Sequence, residues 1–502
     1  MTVDRGPGAP TPPIGLSGPA ADTTGAAGPG VSVTDAILER LEATGATVQA
    51  DPATRAEHGR DWWPLAMTWA LDNRVLALPS AVVRPTTVEQ VQAVAGICHE
   101  HRIPLTAAAG RSGVCGSAVP ARGGVVLDFC AMAGIASVDR TSMVVDVRPG
   151  TFGDALEDEL QTDHGVTVGH WPQSMTLSTV GGWLACRGAG QLSNRYGKIE
   201  DMVIGLDVVL ADGRLIHTGG HARAATGPDL NQLFVGSEGT FGLIVGARLR
   251  THPAPAATET SAFGFPSFAA GLEACRVMTQ DAAAPAVQRL YDAVESDRNF
   301  QTGPDHAVLL LLDEGHPDLV TARMKVASDA CADAAPLDTA LVDRWMGHRN
   351  EVSQLESLIS GGLVVDTMEI TGPWASLPAI YEDTIAAIGA VDGTLAVSSH
   401  QSHAYTDGAC LYFTFAGKPP PDEKDAYYRA VWDAGTRAVL HRGGSLSHHH
   451  GVGVSRARFM AEALGGAFDV VTELKGVLDP RGILNPGKLG LPDPFGPDAV
   501  WP

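Results

Sequence analysis

The chain has 502 residues, of which 44% are hydrophobic and 18% charged, and its formal charge at pH 7 is -22. That length requires more than one hydrophobic core, and the composition excludes a disordered or coiled-coil protein. The negative balance excludes a nucleic-acid or anionic-membrane partner held by a basic face, so any phosphate must be gripped by local loops.

Residues 1–31 are rich in Gly, Ala, Pro and Thr and nearly devoid of large apolar side chains, which reads as a disordered tail. Ile37, Leu38 and Leu41 then recur at helical spacing between Thr34 and Gly45, predicting a short helix. An ordered core is expected from about Leu76. Thr86 and Glu89 form a capping-box pattern ahead of Val88, Val91, Val94 and Cys98, predicting a helix that runs to His101. The β-branched runs Ile103–Thr106, Val125–Phe129 and Met143–Val147 predict strands, and Thr151 is read as capping a helix through Leu160. VIGLDVVL and RLIHTG, joined at Asp212 and Gly213, predict a hairpin. Beyond THPAP at 251–255, Ala-rich helical stretches alternate with the strand-like HAVLLLLDEG and ACLYFTFAG. An amphipathic helix in AFDVVTELKGVLDP and a turn-rich RGILNPGKL follow. The expected division is a tail at 1–31, a first domain at 32–253, a second α+β domain at 254–453 and a last part at 454–502. Seven cysteines without a C-x-x-C pair fit a reducing, cytoplasmic compartment, and no export or stable membrane-inserted segment is expected.

Three glycine-bearing segments carry the chemistry. Ala109, Gly110, Arg111, Ser112, Gly113 and Gly116 follow an expected strand, and such small residues let backbone N–H groups close on a diphosphate. Alone, such a loop is more often a tight turn, and it lacks the G-x-G-x-x-G of nicotinamide-binding folds. Pro172 to Val203 supplies a second segment with Pro172, Ser174, Met175, Ser178, Thr179, Gly181, Gly182 and Tyr196. Thr226 to Pro253 supplies a third with Gly236, Ser237, Glu238, Gly239, Thr240 and Ile244. Three in order are hard to obtain by chance.

Downstream, His448, His449 and His450 in GGSLSHHHGVG read as a metal cluster, an exposed polar loop or catalytic bases. In a strand, adjacent residues face opposite ways, which disfavours one shared ion, so no metal is expected. Histidine titrates near neutrality and can relay a proton. Tyr412 in ACLYFTFAG is a core aromatic or a base, and Arg289 in PAVQRLYD a surface ion-pair partner or an anion holder.

Together the three segments resemble the FAD-binding domain of the vanillyl-alcohol-oxidase, or PCMH-type, superfamily. STVGGW, ATGPDL and above all GGSLSHHHGVG resemble alkyldihydroxyacetonephosphate synthases, over roughly Leu76 to Leu489. The resemblance implies an α+β fold: a two-lobed PCMH-type FAD-binding domain, an α+β cap domain for substrate, and a return of DPRGILNPGKL to the FAD domain. The first two segments would cradle the diphosphate and the third would line flavin and adenine. The first loop has no histidine and Ser174 and Met175 offer no cysteine, so FAD is expected to bind non-covalently. Tyr412 falls on the synthases' catalytic tyrosine, with the histidines as its partners, and Arg289 would hold an anionic substrate group.

Departures accompany the matches. The usual G-G-G-T-S loop is replaced at 109–113, so Arg111 is expected to touch the diphosphate. Leu355 stands where the synthases carry an arginine regarded as binding substrate phosphate, and Val454 replaces a basic residue. The implied function is flavin N5 chemistry at a carbon alpha to a carbonyl or hydroxyl of a specialised small-molecule substrate. The alternative is an FAD-dependent 2-hydroxy-acid or alcohol dehydrogenase or oxidase. Metal-assisted relatives of that kind have Glu-His where this chain has His449 and His450, and His400 with His403 would be a remnant of their site. A homodimer is compatible with either reading.

Overall fold

Short β-branched runs separated by glycine turns build two small sheets in the first half of the chain. In the computed structural model, which describes residues 8–303, 306–352 and 354–496, strands Thr47–Gln49, Ala81–Arg84, Val125–Asp128 and Leu105–Ala108 lie side by side in that order, the last three parallel. Helix Val88–His101 crosses between two of them and buries Val91, Val94 and Cys98. Its start falls one residue later than the pattern suggests: Thr87, not Thr86, accepts from the Gln90 amide, and the Gln90 side chain takes the Thr86 N–H.

The second sheet is antiparallel, ordered Leu215–His217, Val203–Val209, Leu243–Arg250, Val144–Val147, Ile135–Asp139. Gly213, at φ 85°, makes the tight turn of its hairpin. Thr151 does not cap the helix that follows. Its hydroxyl donates to Arg148 O, and helix Gly153–His164 starts behind Phe152.

The second half forms a seven-stranded antiparallel sheet, ordered Ala335–Leu337, Ala257–Phe265, Ala307–Gly315, Val287–Tyr291, Thr394–Ala404, Gly408–Gly417, Val364–Pro373. Leu309, Leu311, Phe413 and Phe415 point to one face and pack under Leu272, Ile380, Val431 and Trp432 of the covering helices. Tyr412 and Arg289, of opposite parity, face the other way. A register shift between Gln401 and His403 brings His403 to the same side as His400.

Residues 8–31 are not a disordered tail. Thr24–Gly25 pairs in parallel with Arg74–Val75, Val31 bridges to Gly123, and Ile14 packs on Met67, Ala70 and Ile359. This order comes from backbone pairing, which small side chains do not prevent. The core also starts before Leu76, because Trp63, Leu65 and Trp69 in and beside helix Pro64–Ala70 are buried. Residues 1–7 of the expected tail and 497–502 of the last part lie outside the described residues.

Helix Ala467–Leu478 and its continuation lie back on the first half. Lys475 Nζ donates to Thr240 O, Asn485 Nδ2 to Ser117 O and Glu238 O, and Lys488 Nζ to Val119 O. Among the described residues, no helix is long and apolar enough to cross a membrane.

Candidate active site

The inner face of the large sheet carries a continuous polar array. Tyr412 and His400 are register partners on neighbouring strands and stack, with centroids 4.6 Å apart. Arg289, one strand further, contacts His400 Nε2 through Nη2 at 2.9 Å and donates from Nε to the Tyr291 hydroxyl at 2.6 Å. His400 Nδ1 in turn lies 3.0 Å from Glu295 Oε1. Among the described residues no carboxylate forms an ion pair with Arg289, and the nearest acidic charge acting on it is Glu295, on the far side of His400.

Opposite this face, the chain leaves helix Lys424–His441 at Gly443 and carries His448–His450 on a loop of bends rather than a strand. Tyr412 Oη and His449 Nε2 are 2.5 Å apart, Tyr405 Oη and His448 Nε2 2.7 Å, and the Nδ1 atoms of His448 and His449 2.7 Å. Ser193 Oγ meets His403 Nδ1 at 2.7 Å, and the His403 ring stacks on that of His448. Burial holds the His448, His449 and His403 imidazoles well below their ordinary range; Lys198 and His450 add to this at all three, and Arg289 at His403. Burial, with Cys410 and Glu369 nearby, pushes the Tyr412 phenol well up, despite Arg289. At neutral pH the cluster is therefore an uncharged phenol facing uncharged imidazoles.

Because the histidines are not in a strand, the two-face argument against metal does not apply. His403, His448 and His449 each offer a nitrogen, all within 4.8 Å of one another. Lys198, whose ammonium donates to His448 O at 2.8 Å, and Arg289 put positive charge beside that set and oppose a cation there.

The three glycine segments converge on the other side of the histidine loop. At Gly110 an added Cβ would collide with Leu177 O, so the first and second segments touch there. Gly113 faces Asp61 Oδ2, and Gly116, at φ 77°, lies against Trp63. Ala109 packs beside the first sheet's core. Arg111 turns its Nη1 to Glu57 O and leaves Nε without a partner. In the second segment Thr179 caps helix Val180–Cys186 through the Gly182 amide, Ser178 accepts from Trp183 Nε1, and Gly181 closes on Pro149. Met175 is wholly buried, and the Ser174 carbonyl accepts from Ser178 Oγ in the turn that opens at Pro172. Tyr196 points away from these loops, its hydroxyl donating to Glu314 of the large sheet. In the third segment Gly239 sits at φ 73°, Thr240 Oγ1 donates to Ser237 O, and Ile244 packs in the second sheet. The Glu238 carboxylate is taken up by the histidine loop, accepting from Val452 and Gly453.

Along this seam Asp61 Oδ2, Trp62 Nε1, Arg111 Nε and both ring nitrogens of His170 are buried without protein partners. Buried polar atoms are seldom left unpaired, and a long polar ligand lying between small-residue segments satisfies such a row. The polar row and the cradle fit FAD, whose diphosphate Gly110–Gly113 and Ser178–Gly182 would hold. The variant Gly110→Ala is expected to force the two segments apart at a cost of about 1–3 kcal/mol and to weaken FAD binding ~10-fold or more. The ratio of flavin to protein absorbance after desalting measures this.

Residues 79–219 match the family described as FAD binding domain, and residues 254–489 the family described as FAD linked oxidases, C-terminal domain. YgcU of Escherichia coli K12, described as an uncharacterized FAD-linked oxidoreductase, is 30% identical over 439 residues, spanning 82% of this chain and 89% of its own. The chain belongs to the FAD-linked oxidase family. The alkyldihydroxyacetonephosphate synthase of Dictyostelium discoideum is also 30% identical, over 83% of this chain and 74% of its own. Glycolate oxidase subunit GlcD of Bacillus subtilis is 27% identical, over 82% and 89%. A solved alkyldihydroxyacetonephosphate synthase structure superposes with a TM-score of 0.79 at 25% identity, covering 94% of this chain and 89% of that one. FAD is the cofactor of this member of the FAD-linked oxidase family, and its fold is the PCMH-type α+β arrangement.

In this family member the structure brings Tyr412, His448, His449, His450 and Arg289 together: the Tyr412 ring lies 5.5 Å from that of His449 and 5.6 Å from that of His450, and Arg289 reaches it through His400. Leu355 packs on the cluster of Ile14, Met67 and Ile359, and Val454 is buried against Trp63. Sequence reasoning missed Glu369, Tyr405, Lys198 and Arg456 as site-forming residues. Glu369 stands in VVDTMEITGP, where acidic residues in an otherwise apolar strand, Asp366 and Glu369, are the available signal.

Proposed function

We propose that this oxidase-family member acts at a carbon alpha to a carbonyl or hydroxyl of an anionic small molecule, in the manner of alkyldihydroxyacetonephosphate synthases. The Tyr412–His449 hydrogen bond beside Arg289 carries the reading. Bound FAD supplies an electron-accepting N5.

Tyr412 is held as a neutral phenol, so its oxygen can take a substrate proton only as its own proton passes to His449 Nε2. His449, kept neutral by burial, is ready to receive it, and the Nδ1 contact to His448 extends the relay toward Tyr405. Arg289 is charged and half-buried, and among the described residues it has no ion pair with a carboxylate. An anionic substrate group would complete its pairing and orient the reacting carbon toward Tyr412. With Leu355 in an apolar cluster, this chain has no arginine at the position the synthases use for phosphate, which supports a specialised substrate.

An anaerobic titration that follows the ~450 nm flavin band tests the reading. Bleaching by an acyl dihydroxyacetone phosphate or a related acyl ketone, reversed by a fatty alcohol without an electron acceptor, is the expected result. Bleaching by a 2-hydroxy acid that recovers only with an acceptor would replace it with the dehydrogenase reading.

A further inference from the structure

We propose that Glu238 and Glu369 are paired positioning residues that clamp the histidine loop between the FAD-binding half and the cap sheet. The proposal rests on the reading of Tyr412 and His449 as the relay, because holding that loop is what keeps the imidazole on the phenol.

Glu369 is 0% exposed and comes from the edge strand Val364–Pro373 of the cap sheet. Its Oε2 accepts from the His448 N–H at 2.6 Å, and its Oε1 from the His450 N–H at 2.6 Å and Ser447 Oγ at 2.8 Å. Arg456 Nη1 donates to the same Oε1 at 3.0 Å and supplies the countercharge. Glu238 is 4% exposed and comes from the third glycine segment, at φ 50°. Its two oxygens accept from the Val452 N–H at 2.6 Å and the Gly453 N–H at 2.8 Å. Each half of the molecule thus contributes one carboxylate, and four backbone amides of the loop end on them.

The loop sequence fits this duty. Gly451, at φ 83°, lies so close to Glu238 that an added Cβ would strike the carboxylate, and Gly453, at φ 53°, presses on Cys115 O of the first segment. Cys115 O accepts from both Val454 and Ser455, and Lys198 of the second segment holds His448 O. All three FAD segments therefore touch the loop, but only Glu238 among them meets it with a carboxylate on two consecutive amides. Charge-assisted bonds of this kind are roughly twice as strong as neutral ones, and they fix the backbone through its amides, leaving the His449 imidazole to Tyr412 while His450 Nδ1 lies 3.6 Å from Glu369 Oε1.

Glu→Gln replacement preserves shape and removes one acceptor oxygen, so it tests the clamp on the FAD-loaded full chain without a substrate. In Glu238→Gln, residue-resolved hydrogen exchange is expected to accelerate ~10-fold or more at Val452 or Gly453, with His448 and His450 unchanged. In Glu369→Gln the acceleration is expected at His448 instead. In 15N-imidazole spectra, Tyr412→Phe marks the His449 Nε2 resonance by removing its donor. Both Gln variants are expected to move that resonance toward the marked position while FAD stays bound. If Glu369→Gln fails to fold because Arg456 is left unpaired, the double variant Glu369→Gln/Arg456→Met removes both charges and must still release the His448 amide. Unchanged exchange at these amides, an unmoved His449 resonance, or uniform acceleration along the whole chain would overturn the clamp. Failure of Tyr412→Phe to affect turnover would instead overturn the relay and leave the exchange pattern standing.

Discussion

Tyr412→Phe is expected to retain FAD and to lose turnover by about 10²–10⁴-fold, the contribution of a positioned acid or base. The phenyl ring keeps the stacking on His400 and fills the same space, so only the hydroxyl shared with His449 disappears. Its effect should fall on the limiting rate of flavin bleaching and spare the substrate's half-saturation point, because Arg289 is untouched. Stopped-flow absorbance with the substrate found by titration separates the two. A rate within threefold of the parent would show that the proton leaves by another group.

Arg456→Ala is expected to be the most destabilising single change in this region. Arg456 and Glu369 are both 0% exposed, and the guanidinium also lies 4.8 Å over the Trp432 ring. Removing it strands a buried carboxylate and opens a void, which costs about 3–5 kcal/mol. Chemical denaturation followed by tryptophan fluorescence should show the midpoint fall accordingly. Adding Glu369→Gln should recover part of the loss, since the stranded charge is its larger component. Arg437→Ala is the contrast: its ion pairs with Asp433 and Glu462 are largely exposed, and the expected cost is under about 1 kcal/mol. Equal losses at Arg456 and Arg437 would show that the buried pair is not what holds the loop.

Much of this architecture was readable from local signals. The hairpin at Gly213, the helix after Thr34, the long strands in HAVLLLLDEG and ACLYFTFAG and the last amphipathic helix all lie where periodicity and turn residues put them. Boundaries slipped where two hydroxyls compete, as at Thr86 and Thr87, or where a hydroxyl serves a turn rather than a helix, as at Thr151. The segment at 8–31 escaped because its order lies in backbone pairing with Arg74–Val75 and Gly123, which composition does not record. The same limit applies to the site. Tyr412 and the histidines announce themselves by residue type and motif, whereas Glu369 and Glu238 act on backbone amides far away in the chain, a relation fixed only by the packing of loop on sheet. Glu238 was legible as part of a glycine segment, but the direction of its side chain was not.

Lys475, Asn485 and Lys488 also set an order of events during synthesis. Their donors fasten carbonyls of Thr240, Ser117, Glu238 and Val119, all in loops that leave the ribosome much earlier. A nascent chain halted before residue 475 has made every glycine segment and the histidine loop, yet lacks Asn485, whose one amide bonds both the first segment at Ser117 O and the third at Glu238 O. The last fastenings of the flavin loops are thus made only when the polypeptide is nearly complete, and a chain ending before residue 475 is expected to hold flavin less tightly than the whole protein.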